Sequence, residues 1–422
     1  MPSSTNPCIC ISSSRRNPDR QVSRETRFPH GSLADPSMPA EMPHLGRFAR
    51  AVVLVLPAWA TARVVVVAVL IVAHHIVGRV RPGNPGAALR VHQGLLGWDA
   101  GWYQSIATHG YAASGEQSLR FFPAFPVAGR LLGWIPGLSP GTGLIILSSL
   151  CALAAMAVLW ILVEREFGDR DLARRSVWLL ALAPPAFTLV MGYAEGALLL
   201  CTTVTFLAIR TGRWWWAAAA GVVAGAVRPI GLLLIIPVVI EVFRASRSEG
   251  SAGVPASAVP AVVSRLAAVV APVVGMAAYL TWVNASFGDP LLPFRVQDQA
   301  GHRGVITSPL ASMGSNLVAV FHGHHLGSAL HIPWVVLCVV LLVVAFRRLP
   351  LSYGLFAAGI LVVSVASSNL DSFERYALSG FPLVIAASTL TSRRGVERIV
   401  LALAALGMVG YSLLAFLGVS VP

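Results

Sequence analysis

Charge is what this chain has least of. Charged residues make up only 12% of its 422 positions, about half the share of a soluble domain. With a mean hydropathy of +0.72, the scarcity excludes a water-soluble globule, because so much apolar surface needs lipid as its solvent. Lysine is missing altogether, and all 31 basic residues are Arg. They lie in short runs between apolar segments rather than on one continuous face. The formal net charge of +13 therefore speaks for anionic lipid headgroups and against nucleic acid as a partner. Cysteine is scarce too. Cys8 and Cys10 sit in a polar tail, while Cys151, Cys201 and Cys338 are single residues in apolar runs, where a thiol behaves as a small hydrophobe. Neither a disulfide framework nor a zinc site is suggested by this pattern. Residues 1–47 hold no apolar run long enough for a signal sequence. Rich in Ser, Pro and Arg, they read as a disordered cytoplasmic tail, or in part as an overextended start, since Met38 and Met42 both precede the first hydrophobic segment.

What is there, over 48–422, is a succession of apolar segments that reads as one all-α, polytopic membrane domain. Spans are expected at 51–77, 140–163, 176–190, 196–209, 265–284, 329–346, 350–367, 375–391 and 395–418. The run 214–243 is interrupted by Arg228-Pro229. One span there would bury Arg228 at mid-membrane, at about 2.5–3.5 kcal/mol or more, so two short helices meeting at Arg228 are expected instead. The total is 10 to 11 spans. Residues 121–136 are apolar but broken by Pro123, Pro126 and Pro136, which points to a surface or re-entrant element. Arg47 and Arg50 place the amino terminus in the cytoplasm, and the dense Arg clusters after 163, 209, 243, 346 and 391 then all fall inside. Two long outer loops follow from the alternation, 78–139 and 284–328.

The first outer loop carries Gly97-Trp98-Asp99-Ala100-Gly101-Trp102-Tyr103, then Gly110-Tyr111, then Phe121-Phe122-Pro123-Ala124-Phe125-Pro126. If the stretch around Asp99 is helical, Trp102 and Tyr103 at i+3 and i+4 share its face. Desolvation by such rings raises a carboxyl's pKa, and the rings give a sugar something to stack on. An interfacial aromatic belt with Asp99 as a helix cap reads the same residues equally well. Asp289, in Gly288-Asp289-Pro290, and Asp298 have the chemistry to bind sugar hydroxyls or a divalent ion, but Gly-Asp-Pro is also an ordinary turn signal. The histidines His302, His322, His324, His325 and His331 match no metal-binding spacing and read as an exposed His-rich loop. The glycines within spans read as sites of close helix packing.

Taken together and in order, Trp98-Asp99-x-x-Trp102-Tyr103, the later Gly-Tyr and the Phe-Phe-Pro element resemble the first-loop signature of the PIG-V-type mannosyltransferases of the GT-C superfamily. Tyr193-Ala194-Glu195 resembles that family's Tyr-x-Glu, Arg228-Pro229-Ile230-Gly231 its Arg-x-x-Gly, and Glu374-Arg375-Tyr376 with Phe381-Pro382 its late Arg-Tyr element. Gly288-Asp289-Pro290 with Phe294 is similar to a segment of bacterial members. Glu195-Gly196-Ala197 departs mildly from the family's Glu-Ser or Glu-Ala.

The resemblance implies a GT-C-type fold with an active site on the extracytoplasmic face of the plasma membrane. It implies a polyprenyl-phosphate-mannose donor, a lipid or glycan acceptor and inversion at the sugar carbon, with Asp99 as general base and Glu195 as a supporting acid. Arg228 and Arg375 would grip the phosphate. Trp98, Trp102, Tyr103, Asp289, Arg295 and Tyr376 would line the substrate site. No resident metal is implied, although a divalent cation stays open as a cofactor. A secondary transporter or flippase is the rival reading, since broken helices with intramembrane Arg and Glu occur there as well. The two halves lack convincing self-similarity, and the polar residues gather in two loops, which favours an enzyme. A structural envelope protein is the third class.

Overall fold

The computed structural model describes residues 44–251, 259–299, 307–308, 311, 314, 318, 326–366, 370 and 372–419. Among them every regular element is helical and there is no strand. The helices are α1 (His44–Val80), α2 (Pro85–Gln93), α3 (Asp99–His109), α4 (Tyr111–Ser114), α5 (Ala124–Leu132), α6 (Pro140–Phe167), α7 (Arg170–Leu182), α8 (Glu195–Arg210) and α9 (Trp214–Val227). They continue with α10 (Ile235–Ser251), α11 (Val259–Phe287), α12 (Leu292–Gln297), α13 (Leu326–Arg348), α14 (Leu351–Val365), α15 (Phe373–Leu378), α16 (Pro382–Leu390) and α17 (Arg394–Phe416).

Among the described residues six segments are long and apolar enough to cross a membrane: Gly46–Val80, Pro140–Phe167, Pro229–Glu249, Val259–Phe287, His331–Arg348 and Arg394–Phe416. The chain is a multi-pass membrane protein, and side chains such as Val64, Leu406 and Ile399 face outward, where lipid solvates them. The expected 10 to 11 spans correspond to these six plus shorter helices, among them the unbroken Glu195–Arg210 and Leu351–Val365, and proline marks several of the divisions. Pro184-Pro185 ends α7 at Leu182 and turns the chain into a 3-10 segment, Pro184–Leu189. The expected span at 375–391 is likewise two helices, α15 and α16, divided before Pro382. The break at Arg228-Pro229 is present, with α9 ending at Val227, Arg228 extended, and the 3-10 turn Pro229–Leu234 leading into α10. Pro123 and Pro126 leave only the short α5, with Trp134 beyond it 72% exposed.

Where helices do run long, their ends are built. Ser139 accepts the Thr142 N–H to open α6, and Gly168 closes it in the left-handed region at φ 65. Close packing rests on glycine at two places that matter for the site. Gly225 of α9 and Gly275 of α11 each lie against the other helix's backbone, at Pro272 and Val222, with no room for a Cβ. A Cβ on Gly196 would stand 2.7 Å from the Ser148 carbonyl of α6. The departure Glu195-Gly196 is thereby explained: α8 can begin where it does only because position 196 has no side chain.

Helix α8 has a buried arginine–carboxylate cluster at each end. At its last residue Arg210 Nε binds Glu166 at 2.7 Å and Nη1 binds Glu241 at 3.0 Å, and a further bond joins Nη2 to Glu166. Glu241 also accepts from the Ser352 hydroxyl at 2.7 Å. At its first residue lies Glu195, about 22 Å away at 1.5 Å per residue.

Candidate active site

Asp99 is the first residue of α3 and Glu195 the first of α8, so both carboxylates sit at helix N-termini, where the unpaired N–H groups favour negative charge. A backbone hydrogen bond from Gly192 N–H to the Leu95 carbonyl at 3.0 Å stitches the two approaches together. The Asp99 N–H donates to the Tyr193 hydroxyl at 3.3 Å. Immediately before the acid, Trp98 takes φ 57, a conformation that side chains rarely adopt. Two contacts hold it there: its indole N–H donates to the Ala415 carbonyl at 2.9 Å, and the Arg90 guanidinium lies 4.2 Å over its ring.

Two arginines close over the acids. Arg375, in α15, binds Asp99 Oδ2 through Nη1 at 2.6 Å, and its Nε lies 3.2 Å from Glu195 Oε1. Arg228, at the break after α9, pairs with the same Glu195 oxygen. Tyr376 supports both, its ring 4.8 Å from the Arg228 guanidinium and 5.2 Å from that of Arg375. Glu195 and Arg375 are 3% and 4% exposed in their side chains, while Asp99 keeps 25%. The other Glu195 oxygen, Oε2, is buried without a hydrogen-bond partner. A donor from a ligand hydroxyl or a water would complete it.

Asp99 does not carry the raised pKa that aromatic surroundings imply. Burial pushes its carboxyl up, but Arg375, Arg120 and Arg228 together outweigh burial and hold it below its ordinary value. The correction has a tertiary cause, since Arg375 lies 276 residues away in sequence. Arg120 is a site residue that the sequence motifs do not mark. It ends the 3-10 turn Glu116–Arg120, and its guanidinium lies 4.8 Å from the Phe121 ring and 5.7 Å from Trp102. Its one signal is its place directly before Phe121-Phe122-Pro123. With it the site sets three guanidiniums, Arg120, Arg228 and Arg375, against two carboxylates, Asp99 and Glu195. Guanidiniums gathered beside the two acids form a donor set that suits an anion such as a phosphate.

Other expected members fall elsewhere. Tyr103 is 3% exposed, edge-on to Phe121 and Phe125 at 5.0 and 5.1 Å, so its ring is core rather than a substrate wall. Trp102 stacks on Phe121 with centroids 6.1 Å apart and stays half-buried. Asp289 spends one oxygen capping Leu291 N–H at 2.9 Å and pairs with Arg295 at 2.9 Å through the other. Arg295 is 69% exposed in its side chain, so this is a turn with a surface pair, the plainer of the two readings of Gly-Asp-Pro. Through Gln117 and Gln299, 2.7 Å apart, the second loop does reach the turn that carries Arg120.

Of the histidines, His302, His322, His324 and His325 lie outside the described residues. His331 is not an exposed loop residue: it is buried in α13, with Nδ1 2.7 Å from Glu374. Among the described residues no group of three or more His, Cys, Asp and Glu side chains gathers to hold a metal ion. Asp99 and Glu195, each engaged by a guanidinium, do not form a cation's donor set.

A family model, Glycosyltransferase family 87, matches residues 123–368, which take in Glu195 and Arg228 and leave Asp99 and Arg375 outside. A curated relative, GPI alpha-1,6-mannosyltransferase 2 of Mus musculus, is 32% identical over 164 residues, covering 35% of this chain and 32% of its own length. The chain thus matches about a third of that relative. Two crystal structures of the Archaeoglobus fulgidus oligosaccharyltransferase are each 12% identical. The one tethered to an acceptor peptide gives a TM-score of 0.44, covering 85% of this chain and 56% of that one, and the apo form gives 0.39, covering 84% and 55%.

Proposed function

The chain belongs to glycosyltransferase family 87, and from that premise we propose that it transfers mannose from a polyprenyl-phosphate-mannose donor to a hydroxyl of a lipid or glycan acceptor on the extracytoplasmic face of the plasma membrane. The observation that carries the reading is the Asp99–Arg375 ion pair, with Glu195 and Arg228 packed against it. It joins a half-open carboxylate to two guanidiniums able to bind a phosphate, which are the two things such a transfer needs.

The acceptor hydroxyl approaches Asp99, whose carboxylate takes its proton. The oxygen attacks the anomeric carbon from the face opposite the phosphate, the bond from that carbon to the phosphate oxygen breaks, and the configuration inverts. Polyprenyl phosphate leaves with the electron pair, its charge held by Arg375 and Arg228. The proton on Asp99 then passes to water.

In the resting site Arg375 makes Asp99 a weak base. A donor phosphate that draws Arg375 onto its own oxygens removes the strongest of the arginines' holds on Asp99, and the carboxylate becomes more basic as the donor settles. Glu195 keeps both arginines in place and offers Oε2 to a substrate hydroxyl. Trp98 and Trp102, both half-buried, stand beside the acid and one helical turn after it along the chain.

The test is transfer of labelled mannose from polyprenyl-phosphate-mannose to a lipid extract from cells lacking the protein, with purified protein in proteoliposomes. Labelled product with wild type and none with Asp99→Asn at equal folded yield is expected. Equal transfer by the variant overturns the base assignment, and substrate flux without transfer overturns the enzyme reading in favour of a transporter.

A further inference from the structure

Next to Arg375 in α15 lies a second buried carboxylate that this chemistry does not use. Both oxygens of Glu374 are close to His331 Nδ1 in α13, at 2.7 and 2.9 Å, and Oε1 also accepts from the Tyr411 hydroxyl of α17 at 3.3 Å. Glu374 and His331 are both buried. A buried carboxylate needs such donors, and here they come from residues 43 positions before it and 37 after it. Helix α15 is thus strung between two sets of tethers: Glu374 is held by α13 and α17, Arg375 by Asp99 and Glu195.

A helix of six residues makes too few hydrogen bonds of its own to fix its orientation. It also starts from Ser372 at φ 64, in the left-handed region, so the chain ahead of it enters at an unusual angle. Adjacent helical residues point about 100° apart, and fixing Glu374 therefore fixes the direction in which Arg375 leaves the helix.

We propose that His331 and Glu374 are positioning residues, whose contact sets the rotation of α15 and thereby aims Arg375 at the donor phosphate. The proposal rests on the reading above in which Arg375 grips that phosphate. Neutral imidazole with its proton on Nδ1 donates as imidazolium does, so the tether needs no charge on His331.

The experiment measures binding of radiolabelled polyprenyl phosphate, without sugar, to purified full-length protein in nanodiscs, together with donor and acceptor KM. His331→Ala is expected to weaken polyprenyl-phosphate binding and raise donor KM about tenfold, with kcat and acceptor KM within about twofold. His331→Gln, whose amide N–H still reaches a carboxylate, is expected to restore binding to within about threefold of wild type.

Wild-type binding by His331→Ala overturns the proposal, as does a fall in kcat with donor KM unchanged. Should His331→Ala fail to fold, Tyr411→Phe decides: it removes one tether and is expected to weaken binding about threefold, and binding equal to wild type overturns the proposal. Wild-type protein that does not bind polyprenyl phosphate overturns the donor assignment itself, an outcome distinct from equal binding by wild type and variant.

Discussion

The two ends of α8 are made of the same residue types and differ in what they leave over. At the Arg210 end Arg210 meets Glu166 and Glu241, Arg244 lies 3.7 Å from Glu241, and all four carboxylate oxygens are engaged: both of Glu166 by Arg210, and those of Glu241 by Arg210 and Ser352. Exposure of the Arg210, Glu166 and Glu241 side chains is 14%, 9% and 7%. At the Glu195 end three guanidiniums face two carboxylates, one oxygen of Glu195 stays unpartnered, and Asp99 keeps a quarter of its side-chain surface. The first cluster is saturated and ties α6, α8, α10 and α14 together. The second has an acceptor oxygen to spare, and it has an opening. Buried ion pairs alone do not mark a site; unspent bonding capacity beside an opening does.

The sharpest way to break this contrast is to neutralise one acid at each end. Asp99→Asn is expected to lower kcat by about 10³-fold or more, within the range for a lost general base, with the thermal midpoint close to wild type. Glu166→Ala takes two of the three carboxylate bonds of Arg210 and leaves it Glu241 alone, and a loss of about 1–3 kcal/mol in stability is expected, with the activity of the folded fraction retained. If Glu166→Ala silenced the folded enzyme, or Asp99→Asn mainly unfolded it, the contrast would fall.

Arg375→Lys keeps the charge but loses the two-pronged grip, and a donor KM about 10-fold higher is expected from steady-state kinetics. The same arginine sets a pH dependence. Because it helps hold Asp99 below the usual carboxylate value of about 4, Arg375→Gln leaves burial less opposed and the carboxyl's pKa rises. The acid limb of kcat/KM, where protonation of Asp99 stops the reaction, is expected to move to higher pH in the variant. A limb that stays put or moves down would separate Asp99 from the titrating group. The smallest effect belongs to Asp289→Ala and Arg295→Ala, which break an exposed pair; transfer within about twofold of wild type is expected.

Much of the open cluster was legible in the chain. Asp99, Glu195, Arg228 and Arg375 each stand in a short motif, and the same resemblance holds them as a set. The helix break at Arg228-Pro229 was legible because a buried arginine and a proline both argue against a continuous span. What local pattern could not carry were properties created by distant partners. The depressed Asp99 carboxyl needs Arg375, and the burial of His331 needs Glu374. Arg120 carries no periodic or spaced signal, and only the fold brings it to bear on Asp99. Tyr103 shares the helical face of Asp99 as expected, yet Phe121 and Phe125 close over it. The places where apolar runs look continuous to a hydropathy window yet are divided, at Pro184-Pro185 and before Pro382, are set by proline.

The Trp98 contact to Ala415 has a consequence for how the protein comes into being. The residue that precedes the acid takes its unusual backbone angle against a carbonyl 317 positions later, near the end of the last long helix. During synthesis Asp99 emerges early and waits. Arg375 does not exist until the ribosome has passed residue 375, and the Ala415 anchor follows only when the helix that packs beside α1 has been made. A nascent chain therefore carries Asp99 through most of its elongation without the contacts that fix it in the folded protein, and those contacts are completed late.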